Sequence, residues 1–378
     1  MRDVRIAVVH SSYGGYSSGE NMSVQAQLEA RIRAGAIIHW INSSTSELQE
    51  QLGSQRYKVR SASNFIHARG LADYARIVEQ DPHLVHVHNA IPNVDTEFAR
   101  RLDVPLVISY HNFRYACMNG LFYRSGHVCF DCVGRGSFSG VRNSCYQDSK
   151  VASLLVHISG NSDPNRNALV REAAAIVVHS DRERSLAIRA GIDESKVRVI
   201  ENFVACRPDS VIPVGNGRFL IAGRNSPEKG FDKLLHHWPT EFPLDYAGTV
   251  PLGQPTNYLG LLNHQEFQRE LAHYSGLVIP SIWLENGYPR VALEALALGV
   301  PVIAYRVNSA AQLVERSGAG RIFDVFSETA LRTALQEVLC DVSRVRSAKF
   351  ATEHFSEARW IFQMSSLYED LLGKKTAL

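Results

Sequence analysis

Residues 277–304 read LVIPSIWLENGYPRVALEALALGVPVIA. An apolar run is followed by a loop holding Pro280, Gly287 and Pro289, then a helical-period stretch over 291–298. A second apolar run begins after Gly299 and Pro301. Strand, loop, helix and strand in this order make one βαβ unit, the building block of a parallel sheet with crossover helices. Two carboxylates mark the unit, Glu285 in the loop and Glu294 in the helix. Glu285 is placed to accept hydrogen bonds from sugar hydroxyls, and Glu294 from the two hydroxyls of a ribose, as acidic residues do in dinucleotide sites. The plain alternatives are a carboxylate balancing a helix dipole for Glu285 and a solvated helix face for Glu294.

Working outward, the same alternation fills the chain. Strands are expected at 5–9, 37–41, 84–88, 106–109, 175–178 and 197–200. They restart at 218–222, 244–247, 277–279, 302–304 and 321–323, with helical stretches between, such as 24–34 and 71–79. A Pro/Gly-bearing stretch at 208–217 suits an interdomain linker. The tail at 355–372 has helical spacing, with Trp360, Phe362, Leu367 and Leu371 available to pack. Two doubly wound domains facing across a cleft are expected, with ligands at the carboxyl ends of the strands. A chain of 378 residues fits two domains. Forty basic against 38 acidic side chains leave no whole-molecule field for nucleic acid. The N-terminus passes straight into a four-residue apolar run, too short for a signal-peptide core or a span, so a cytoplasmic location is expected, with loose attachment to the inner face of a membrane left open.

Upstream of the opening stretch, Ala222-Gly223-Arg224-Asn225-Ser226-Pro227-Glu228-Lys229-Gly230 follows a strand and opens a helix. Glycine admits a close ligand, the helix N-terminus favours anions, and Arg224 and Lys229 add two cations, a set that suits a diphosphate. The plain reading is a solvated loop. His86 and His88 share one side of a strand but have no carboxylate spaced to complete a metal site. His111 ends a strand where a ligand cleft is expected.

Together these segments resemble the donor-binding signature of glycosyltransferase family four, a retaining family of GT-B fold, and the likeness runs over nearly the whole chain. Tyr13-Gly14-Gly15-Tyr16 resembles the family's Gly-rich first loop. Residues 84–89 (LVHVHN) resemble its third strand, 109–114 (SYHNFR) its fourth, and Glu201-Asn202-Phe203 the turn before the interdomain connection. The resemblance implies a 1–203 acceptor-side domain, a 204–354 nucleotide-sugar donor domain and a 355–378 helix crossing back to the first. It implies that Gly14 and Gly15 approach the donor phosphates or the acceptor, and that Arg224 and Lys229 neutralise the departing diphosphate in place of a metal. His111 and Glu285 then meet the transferred sugar and Glu294 the ribose. The family spaces its two Glu by seven residues, whereas eight separate Glu285 from Glu294. Either Gly287 is an insertion or Asn286 fills the first position, so Asn286 and Gly287 join the donor-binding set.

The expected activity is hexosyl transfer from a UDP- or GDP-sugar to a glycan, lipid-linked or small-molecule acceptor, of bacterial surface-polysaccharide type. A nucleotide-sugar epimerase and a sugar-nucleotide-binding protein without turnover are the alternatives. Within a long insertion at 111–150 lie Cys117, Cys129, Cys132 and Cys145, the middle two as a Cys-x-x-Cys pair. A structural zinc site, buried thiols, and disulfide or redox use are all open to them. Arg114, Tyr115, Phe122, Tyr123, Arg124, Arg135 and Arg142 lie in or beside the same stretch, as sugar-stacking or anion-binding groups or as a solvated loop.

Overall fold

The structure is a computed structural model and describes residues 3–10, 19–42, 57–61, 77–88, 96–204, 215–253, 256–341 and 343–376. The chain divides into two compact units. One holds Met1–Leu121, Phe130–Asn202 and Ala358–Leu378; the other holds Phe122–Cys129 and Phe203–Glu357.

The first unit is built on β1 (Arg5–His10), β2 (Ile37–Asn42), β3 (Tyr57–Ser61), β4 (Leu84–His88), β5 (Leu106–Ser109), β8 (Ala175–Val178) and β9 (Val197–Val199). They form one sheet in the order β3-β2-β1-β4-β5-β8-β9, parallel throughout. Central strands of such a sheet are covered on both faces, so apolar runs replace alternation. β4 is buried at all five positions although two of them are His.

The last helix, Glu357–Thr376, clusters with this unit. Trp360, Met364, Leu367 and Tyr368 form its buried stripe at helical spacing. Phe362, expected to pack, is instead 73% exposed because it falls on the opposite side of the helix. Arg31, fully buried on the helix Gly19–Arg33, places its guanidinium 4.9 Å from the Trp360 ring centre and donates to Tyr368 Oη at 3.1 Å. A buried cation tolerates this position only because π-faces and acceptors replace its water.

The second unit carries β10 (Phe219–Ala222), β11 (Leu244–Ala247), β12 (Thr256–Gly260), β13 (Gly276–Ile279), β14 (Val302–Tyr305) and β15 (Gly320–Phe323). Their order is β12-β11-β10-β13-β14-β15, again all parallel. Alternate residues feed two cores. Leu277 and Ile279 join Leu293, Leu296 and Leu313 on one face, while Val278 joins Trp238, Leu331 and Leu335 on the other. Each fully buried Leu or Ile contributes about 1.5–3 kcal/mol. The remaining strands, β6 (Tyr123–Arg124) and β7 (His127–Val128), make an antiparallel hairpin inside the 111–150 stretch.

β3, β12 and this hairpin were absent from the sequence expectation. β3 and β12 each lie at one edge of their sheet, and their sequences carry polar residues such as Lys58, Arg60 and Asn257. Strand order reverses between β1 and β4 in one sheet and between β10 and β13 in the other. Ligands of doubly wound sheets bind outside the carboxyl ends of the strands at that crevice.

Candidate active site

In the second unit, the loops leaving β10 and β13 meet at this crevice. After β10 the chain makes a 3₁₀ turn over Pro227–Lys229 and enters the helix Phe231–His236 through Gly230. Gly230 has φ 71°, and a Cβ there would lie 2.4 Å from the Pro280 carbonyl oxygen. Only glycine allows this approach. The Ile282 amide then donates to the Glu228 carbonyl at 2.9 Å, which ties the two loops together.

That tie aligns the charged groups. Lys229 Nζ lies 2.5 Å from Glu285 Oε1, and Ser281 Oγ donates to the same oxygen at 3.1 Å. The Lys229 ammonium also sits 5.6 Å from the Trp283 ring centre. Glu285 is buried and Lys229 half-buried. Glu285 lies upstream of the helix Arg290–Ala297 and is paired with the Lys229 ammonium. Arg224 is exposed, with its guanidinium 3.7 Å from Glu228 Oε1. Asn286 is half-buried, and Gly287, at φ 62°, offers its carbonyl to Ser309 Oγ.

Glu294 is 2% exposed, which overturns the solvated-face alternative. Its Oε1 accepts from Arg290 Nε at 2.9 Å and pairs with His264 Nε2 at 2.7 Å. Arg290 lies one turn earlier on the same helix. His264 opens the helix His264–Leu271, whose N-cap Asn263 and Glu266 form a capping box. His264, Arg290, Ser281 and Trp283 were not singled out from sequence. For Ser281, Trp283 and Arg290 the signal was position, each lying within about a turn of a carboxylate that was; His264, 30 residues from Glu294 in the chain, carried none.

In the first unit, His10 ends β1, His88 ends β4, and His111 and His179 follow β5 and β8. His88 Nδ1 lies 3.0 Å from His111 Nε2, and the His111 ring centre is 4.9 Å from that of His179. His86 and His88 stack at 4.2 Å on one side of β4, as their strand spacing predicted. Burial drives all five rings toward neutrality. The pKa of His10 is lowered; His86, His88 and His111 go well below 6.5, with neighbouring positive charge adding to burial; His179 falls to about 4. His111 alone of the five is not fully enclosed.

The partners fix the tautomers. His179 Nδ1 faces the Ile200 carbonyl at 2.9 Å and so carries the proton, while His10 lies between the His88 carbonyl, 3.3 Å from Nδ1, and Asn21 Oδ1, 3.1 Å from Nε2. His86 Nδ1 accepts from Arg31 at 3.0 Å, and its Nε2–H donates to Ser109 Oγ at 2.8 Å. His88 Nε2 is buried with no hydrogen-bond partner among the described residues. A bare lone pair costs less there than an orphaned N–H. His88 therefore donates from Nδ1 to His111 Nε2, leaving the His111 proton on Nδ1.

Gly14 and Gly15 lie outside the described residues. Cys117, Cys129, Cys132 and Cys145 are half-buried, and Cys117 Sγ donates to Asn119 Oδ1 at 3.0 Å. Among the described residues, no three or more His, Cys, Asp or Glu are grouped so as to hold a metal ion.

Two family models match the chain, one over each part. Glycosyltransferase Family 4 covers residues 38–207, and Glycosyl transferases group 1 covers residues 245–354. The chain is a family-four-type glycosyltransferase. It is 25% identical over 178 residues to an uncharacterized 41.2 kDa protein in the cps region of Klebsiella pneumoniae, covering 41% of this chain. It is 36% identical over 103 residues, 26% of the chain, to a D-inositol 3-phosphate glycosyltransferase of Corynebacterium glutamicum. These matches span 49% and 24% of the length of the two relatives. Among solved structures, sucrose-phosphate synthase from Thermosynechococcus elongatus is similar at TM-score 0.72 and 17% identity, over 98% of this glycosyltransferase and 100% of that chain. Anabaena HepE in complex with UDP and glucose gives 0.64 and 16%, over 97% and 100%. These likenesses establish the GT-B fold.

Proposed function

We propose that this glycosyltransferase moves a hexose from a nucleotide diphosphate sugar to a glycan, lipid-linked or small-molecule acceptor, with retention and without a catalytic metal. The observation that carries the reading is the Lys229–Glu285–Ser281 cluster, locked at the crevice of the second sheet by the Gly230 contact. A carboxylate beside an ammonium in a half-buried loop can hold sugar hydroxyls while the ammonium faces the phosphate. Arg224 adds an exposed second cation. The bond from anomeric carbon to phosphate oxygen breaks, its electron pair passing to the diphosphate, where Lys229 and Arg224 neutralise the developing charge. The acceptor oxygen attacks the same face, and its proton passes to the leaving phosphate oxygen. No paired carboxylates of the glycosidase kind are needed.

Glu294, held on one oxygen by Arg290 and His264, accepts from the ribose hydroxyls. His111 presents a neutral Nδ1–H to the sugar, while Gly14, Gly15, Asn286 and Gly287 line the donor. UDP-sugars come first in the panel, since HepE is solved with UDP and glucose. The relative in a cps region supports surface-polysaccharide assembly, with the enzyme working in the cytoplasm at the inner face of the membrane. Donor titration with and without candidate acceptors tests the proposal. Transfer with the anomeric configuration kept supports it. Conversion of the donor sugar with transfer to neither acceptor nor water indicates an epimerase, and saturable binding without turnover a degenerate sensor.

A further inference from the structure

The helix Lys150–Ser159 is packed inside out. Val151, Leu154, Leu155 and Ile158 recur at i, i+3, i+4 and i+7, the stripe that a surface helix normally turns to its core. Here they are 71%, 43%, 63% and 61% exposed, while Ser153 and Val156 on the opposite side are buried. Phe138, 63% exposed, stands on the neighbouring helix Phe138–Arg142, its ring centre 5.7 Å from that of His157. Four of the fourteen large apolar side chains exposed among the described residues thus lie on one face of one short helix, with a fifth on the helix packed against it. Scattered single exposures are ordinary; a contiguous stripe marks a contact surface.

The rim of the patch says what that contact is. Exposed Lys150 stands at the N-terminal end of the helix, and Arg142, also exposed, closes the neighbouring helix Phe138–Arg142. Arg166 donates to the carbonyls of His157 and Ile158 at 2.9 and 2.8 Å, which pins its cation beside the stripe. Residues 149–162 themselves hold no acid. The stripe is also small. Ten residues of helix span about 15 Å, too little for the roughly 800 Å² per partner of a stable protein interface. An interfacial helix needs only such a stripe, sunk about 5–10 Å into the headgroup boundary with cations beside it. Crossing a bilayer takes about 20 residues, so this helix lies on the surface.

We propose that the face formed by Phe138, Val151, Leu154, Leu155 and Ile158 docks on an anionic lipid bilayer. This deepens the peripheral association included in the proposed function and rests on that reading for its use, while standing on its own geometry. One short apolar stripe gives weak, reversible attachment, and the cations make it depend on anionic lipid and on salt.

The test is flotation of the full chain with vesicles of phosphatidylcholine alone and with about 30% phosphatidylglycerol. We expect binding to the anionic vesicles, weakened by salt. It should fall at least about tenfold in Leu155→Asp/Ile158→Asp and in the milder Leu155→Ser/Ile158→Ser, with unfolding midpoint and UDP binding unchanged as fold controls. Wild type left unbound, or variants floating equally well, overturns the proposal. So does a wild-type dimer in solution that the variants split, because the face is then covered by a second copy. Donor hydrolysis measured without vesicles reads the transferase activity separately, so failure of one does not pass for failure of the other.

Discussion

Acidification should unfold the first unit before the second. Burial is the main cause of the lowered pKa of His179, opposed by its bond to the Ile200 carbonyl, and the value falls from 6.5 to about 4. Between these values the unfolded chain binds a proton that the folded chain refuses, so stability falls as pH drops. Above about pH 6.5 the full contribution is present; below about 4 it is gone. At pH 5 the loss from His179 alone is about 2 kcal/mol. His10, His86, His88 and His111 are shifted in the same direction, which makes that figure a floor. Domains of this kind are stable by roughly 5–15 kcal/mol, so the change is large. Hydrogen exchange read by mass spectrometry at pH 7.5 and 5, corrected for the intrinsic rate, should show protection of β1, β4, β5 and β8 falling at least about 30-fold, with β10 and β13 as internal reference. His179→Gln should flatten the dependence. Protection in β4 that is the same at both pH values would refute the neutral-histidine assignment.

Two further outcomes follow from the second unit. Gly230→Ala forces a side chain against the Pro280 carbonyl at positive φ, and should cost about 1–3 kcal/mol in urea unfolding while abolishing saturable donor binding. His264→Ala frees one side of Glu294. It should raise the donor KM about tenfold with kcat little changed, and reduce discrimination against 2′-deoxyribose donors, measured by initial rates; unchanged discrimination would remove Glu294 and His264 from ribose recognition.

Strands with both faces buried were legible from sequence alone. Leu84–His88, Leu106–Ser109, Ala175–Val178 and Leu244–Ala247 have the expected limits, because an apolar run between turn residues has few other fates. Tyr57–Ser61 and Thr256–Gly260 were not legible, since Lys58, Arg60 and Asn257 interrupt their apolar character and leave their composition close to that of loops, whereas Val197–Val199 and Gly320–Phe323, at the opposite edges, keep enough apolar residues to be read. Phe362 was misjudged because a long amphipathic helix presents apolar residues on more than one side, and only its partner decides which is buried.

Lys229 and Glu285, which the structure pairs, could be singled out in advance because they lie in two short loops that each follow a strand. The histidine array could not. His10, His88, His111 and His179 are far apart in the chain, and only the order β1-β4-β5-β8 brings their strand ends side by side. The inside-out helix at Lys150–Ser159 has the period of a core helix, so only burial reveals that its apolar stripe faces outward.

The most direct measurement is nucleotide release across a panel of UDP- and GDP-sugars, comparing the wild type with Lys229→Ala. The wild type should hydrolyse one donor slowly without an acceptor, and the variant at least about 100-fold more slowly, the scale expected when a charge-stabilising group is lost. Absence of release and of saturable binding for every donor, or a variant as active as the wild type, would contradict the proposed function.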